Sequence, residues 1–173
     1  MTRWFEIWHR KQERIKDSLR NTYVHRILGE RVFHHDIWVL DTDPVAGGLS
    51  LGLFVAFTPT IPFQTLLCAV GALLLRVNLP IALAASVIMN PLTAFPIYLS
   101  AHRTGQYFFE HSAIGEFTLG LFSSESRTGR FMEASLYLWT GSLIFSTVSA
   151  FVGNAGARLA WRLGRWYKSK RKK

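Results

Sequence analysis

Charge is missing from the middle of this chain. Of its 173 residues, three long stretches (45–75, 79–100 and 134–157) hold no Asp, Glu, Lys, Arg or His. A soluble protein could match the 49% apolar content, but not this distribution, and the chain reads as a membrane protein. Cysteine is almost absent as well. Cys68 stands alone inside an apolar run, which excludes an intrachain disulfide and leaves the redox compartment open. No glycine-rich phosphate loop or zinc-protease helix occurs. His34-His35-Asp36 are adjacent in sequence, with no second cluster at ligand spacing, so no metal site is assigned. The chain therefore reads as no enzyme and as needing no cofactor. The opening MTRWFEIWHRKQERIK lacks a continuous apolar core and a small-residue cleavage site, so the first membrane segment is expected to act as an uncleaved anchor.

Acids are missing from 158–173, which carries eight Lys/Arg and most of the formal +9 charge. Residues 1–44 are nearly balanced, with eight basic and seven acidic side chains. By the positive-inside rule both ends belong in the cytoplasm. Next to a membrane helix, the basic tail binds anionic head groups, at about 1 kcal/mol per cation near the surface, in preference to nucleic acid.

What is present is a run of apolar residues at 45–75 cut by Pro59 and Pro62. Proline removes a backbone donor and crowds the preceding turn. The halves 45–58 and 63–75 would each extend about 20 Å, short of the ~30 Å hydrocarbon layer. Two short helices meeting at a Pro-rich tip make a re-entrant hairpin; one kinked, tilted span is the alternative. Asp43-Pro44 predicts a helix start at Pro44 or Val45. Gly48, Gly52 and Ala56 then form a small-residue stripe on which another backbone can pack.

Residues 3–28 predict one helix of mixed polarity, lying at the membrane boundary or packing on the rest of the protein. Residues 80–100 predict one crossing, interrupted at Asn90-Pro91 and Pro96. Residues 102–130 read as an external loop with short helices, and 131–157, free of proline, as the most regular span. The expected architecture is all-α: a small polytopic membrane protein with a Pro-broken hairpin and two transmembrane spans. Its divisions are a cytoplasmic or interfacial region 1–43, a membrane domain 44–157 and a tail 158–173.

The two breaks, FTPTIPFQ and NPLTAFP, share prolines, a threonine and a carboxamide. Paired interruptions of this kind point to a transport site. Gln64, Asn78, Asn90 and Thr93 are the candidate ligand or translocation residues, with Arg76 to attract an anionic group through its bidentate guanidinium. Mutual hydrogen bonding for the amides and snorkelling for Arg76 are the bland alternatives.

The segment GLSLGLFVAFTPTIPFQTLLCAVGALLLRVNLPIALAASVIMNPLTAFPIYLSAHRTG resembles the bacterial membrane-protein family of domain of unknown function 2062. The shared pieces are Phe57, Pro59, Pro62 and Gln64, then Leu75, Arg76, Asn78 and Pro80, then Asn90, Pro91 and Thr93. Where this chain has Phe63, relatives often have glycine. The resemblance covers about residues 20–157 and implies a bacterial inner-membrane location; some relatives join this domain to a glycosyltransferase. The expected function is a small transporter or lipid translocase, working as a homo-oligomer or with a membrane partner. The alternative is a non-transporting scaffold or accessory subunit that packs through Gly48 and Gly52.

Overall fold

A computed structural model describes residues 2–20, 22–112, 115 and 127–170; for residues 2–9, 11, 91 and 168 it describes the backbone only. The described chain is all α-helical, without strands. Helices α1 (Thr2–Arg20) and α2 (Tyr23–Leu28) lead through two short 3-10 turns (Gly29–Phe33, His35–Trp38) into α3 (Thr42–Phe57). Then follow α4 (Gln64–Leu75), α5 (Leu79–Ser86), α6 (Pro91–Glu110) and α7 (Arg127–Lys170). Over Arg127–Tyr167, α7 is long and apolar enough to cross a membrane by length and composition; α3 and α4 are apolar but shorter.

Small residues set the packing. Gly48 lies against the Asn78 carbonyl, and Gly52 against the Ala82 carbonyl and the Ala85 side chain, so α5 runs beside α3 in the same direction. A Cβ on either glycine would strike backbone, and overpacking of this kind costs about 1–3 kcal/mol. With Ala56 fully buried, the stripe anticipated at Gly48, Gly52 and Ala56 is filled by this chain's own α5.

Helix α4 returns along α3, with the Leu51 side chain over Gly71 and with Val55, Cys68 and Ala82 in one cluster. Helix α7 is antiparallel to α3. The Ser50 hydroxyl donates to the Ala150 carbonyl at 2.9 Å, Gly153 receives Leu53, and Arg158 donates to Asp43 at 2.6 Å. Further along α7, Gly141 meets the Ala101 carbonyl and Gly105 meets the Tyr137 carbonyl, which sets α6 antiparallel to α7.

The N-terminal segment packs on the bundle. Leu19, Val24, Val32, Ile37 and Trp38 join Ala69, Ala72 and Leu79 in one buried cluster. Burying each of the larger side chains contributes roughly 1.5–3 kcal/mol. The buried Gln12 amide donates to the Trp38 carbonyl at 2.7 Å, and the Trp38 indole to the Val32 carbonyl at 2.9 Å.

Several sequence expectations need correction. The helix expected over 3–28 is two helices, α1 and α2. Helix α3 starts at Thr42, not at Pro44 or Val45, because the Asp41 carboxylate takes the capping bond from the Thr42 N–H at 2.6 Å, while Asp43 pairs with Arg158. Pro96 breaks nothing: it lies inside α6, where it forgoes only the backbone bond to the Leu92 carbonyl. The loop expected over 102–130 is helical through Glu110 and again from Arg127; of the stretch between, 113–114 and 116–126 lie outside the described residues. The tail expected from residue 158 continues α7 through Lys170.

Candidate functional site at the helix breaks

At the first break, α3 ends at Phe57 and the chain turns through Thr58–Phe63. The Thr58 hydroxyl donates to the Phe54 carbonyl at 2.8 Å. The Thr60 N–H donates to Thr58 and the Phe63 N–H to Thr60, at 2.8 and 2.7 Å. The Ile61–Pro62 peptide is cis, and Ile61 and Phe63 are exposed. Gln64 then opens α4, and its buried Nε2 has no hydrogen-bond partner among the described residues.

At the second break, α5 ends at Ser86 and α6 begins at Pro91. Asn90 caps α6: its side-chain oxygen accepts from the N–H groups of Leu92 (2.9 Å) and Thr93 (3.2 Å). The Thr93 hydroxyl accepts from the Asn90 N–H at 3.0 Å and donates to the Ile88 carbonyl at 2.7 Å. This is a complete capping box.

Asn78 is fully buried and fully engaged. Its amide donates to the Val39 carbonyl at 2.7 Å, its side-chain oxygen accepts from the Ile81 N–H at 3.0 Å, and its own N–H donates to Pro44 at 2.9 Å. It joins the N-terminal segment, α3 and α5. Arg76 closes α4 in a left-handed conformation (φ 52°, ψ 45°), exposed and with no carboxylate partner among the described residues. Gln64 and Arg76 sit at opposite ends of α4, about 18 Å apart at 1.5 Å per residue. The five candidates therefore do not converge. Asn78, Asn90 and Thr93 hold the fold, and Gln64 alone offers a buried unpaired group.

Among the described residues two further buried side-chain atoms lack partners, the Tyr98 hydroxyl on α6 and the Ser142 hydroxyl on α7. The register brings them to the depth of Gln64. The Ser50–Ala150 and Asp43–Arg158 contacts step almost residue for residue, which sets the end of α3 beside Ser142 and Leu143. Leu51 over Gly71 sets Gln64 beside the end of α3, and Ala101 against Gly141 sets Tyr98 within a turn of Ser142. The sequence draws attention to Ser142 only as a small packing residue, and to Tyr98 not at all. The signal that could have found them is polar character on stretches otherwise apolar.

No curated protein and no solved structure matches this chain. Residues 25–172 match the profile of the family described as "Uncharacterized protein conserved in bacteria (DUF2062)", and the chain belongs to that family.

Proposed function

We propose that the protein is a multi-pass inner-membrane protein and acts as a small transporter or lipid translocase, through a polar node at the tip of the α3–α4 pair. The observation that carries this reading is a set of three buried polar atoms without partners among the described residues (Gln64 Nε2, Tyr98 OH, Ser142 Oγ), which the helix register puts at similar levels of α4, α6 and α7. An unpaired buried polar group costs about 1–3 kcal/mol and is retained where it serves a ligand or a path.

Several features support the membrane setting. Leu92, Phe95, Leu74 and Phe151 are exposed on helix surfaces, an apolar exterior suited to lipid or to a second copy of the chain. At 16 and 12 residues, α3 and α4 extend about 24 and 18 Å, less than the ~30 Å hydrocarbon layer. Their connecting turn lies level with Ser142, inside the apolar part of α7 that begins near Phe131. This geometry favours a re-entrant pair. The α5–α6 path and α7 then supply the two crossings. The Asp43–Arg158 contact keeps the start of α3 and the basic part of α7 at one end of the bundle, the cytoplasmic end by charge. An accessory role through Gly48 and Gly52 has less support, because α5 covers that stripe.

The test is reconstitution into phosphatidylcholine vesicles carrying a fluorescent phospholipid, whose movement between leaflets is followed by dithionite quenching. Gln64→Leu, Tyr98→Phe and Ser142→Ala each remove an unpaired polar group. Each is expected to slow exchange roughly tenfold or more while the thermal midpoint holds or rises. Wild-type rates in all three variants would remove the proposal.

A further inference from the structure

A groove of about 560 Å³ opens between α3, the end of α4 and α7. Its volume falls in the range of small-molecule sites. Leu51, Phe54, Leu75 and Val77 give it apolar walls, and Ser50 and Asn154 are polar members of its lining. Both are engaged within the protein: the Ser50 hydroxyl donates to Ala150, and the Asn154 side-chain oxygen accepts from Arg158 Nε at 2.8 Å. To a ligand, the walls are mostly hydrocarbon.

Charge at the rim is unequal. Arg158 is paired with Asp43. Arg76 sits between two lining residues, Leu75 and Val77, and no described carboxylate pairs with it. Its backbone is left-handed, a conformation in which glycine is the ordinary residue. Local chain geometry thus gives no reason for arginine here. An apolar groove whose wall is formed on either side of an exposed, unpaired arginine in the chain is complementary to an anionic amphiphile, and guanidinium binds phosphate through paired donors.

We infer that the groove seats an acyl chain of an anionic phospholipid whose phosphate docks on Arg76. This rests on the membrane reading above and gives it a lipid class. A zwitterionic lipid carries the same phosphate but brings its own cation to it, so an unpaired arginine favours a lipid of net negative charge, and a second copy of the chain would fill the groove without lipid.

The test uses the full chain, first floated with phosphatidylcholine vesicles. It is then extracted from vesicles of phosphatidylcholine and phosphatidylglycerol in equal parts, and the retained lipid is measured by native mass spectrometry. Wild type is expected to float and to enrich phosphatidylglycerol roughly tenfold, a preference set by the missing choline cation and worth about 1.4 kcal/mol. Arg76→Gly suits the backbone, so folding is kept while the enrichment falls to parity. Arg76→Lys retains most of it. Ala150→Leu, on the groove wall, lowers retention of both lipids. Undiminished enrichment in Arg76→Gly would overturn the inference, as would a lipid-free dimer of the wild type. Failure to float would sink the membrane reading itself, whereas flotation without enrichment would sink only the lipid assignment.

Discussion

The two interruptions of the apolar helices look alike in sequence and differ in their hydrogen bonds. At the second, Asn90 and Thr93 close the break on themselves: the box caps α6 and the Thr93 hydroxyl takes the Ile88 carbonyl. At the first, threonines and backbone tie the turn, but the Gln64 amide is left buried and unpaired. Proline in an apolar stretch therefore does not by itself mark a working site. The informative quantity is what remains after each freed polar group has been matched with a partner.

That contrast can be attacked by substitution, with stability read from unfolding in detergent and function from lipid exchange. Asn78→Ala should have the largest effect on stability, a loss of about 2–4 kcal/mol, since it removes a helix cap and leaves the Val39 carbonyl without its donor. Asn90→Ala should cost about 1–2 kcal/mol through the capping box and leave exchange at the wild-type rate. Loss of exchange with unchanged stability in that variant would erase the distinction between the breaks. Gln64→Leu should move stability least, within about 1 kcal/mol and toward the stable side, because it removes an unsatisfied donor. A loss of several kcal/mol there would show that the amide is a structural tie like Asn78.

Much of the architecture was legible in the sequence. The break after Phe57, the small-residue face of α3 and the proline-free span 131–157 inside α7 follow from proline placement, glycine spacing and the absence of charge. What escaped depends on distant partners. Asp41 and Asp43 are equally good local caps, and the choice is settled by Arg158, 115 residues beyond Asp43. Pro96 looks like a breaker, yet α6 already has its cap and runs on through it. The NPxT motif reads as a ligand site until the capping geometry shows its groups in use. Tyr98 and Ser142 gain meaning only when α6 and α7 are brought to the depth of Gln64, which no local pattern encodes.

Helix α7 has 44 residues, about 66 Å of rod, more than twice the thickness of the hydrocarbon layer. The element is continuous from Arg127 to Lys170. Its cationic end and Ser142 are thus parts of one lever. Whatever surface or protein meets Arg165 is joined by this one helix to the level of the α3–α4 turn.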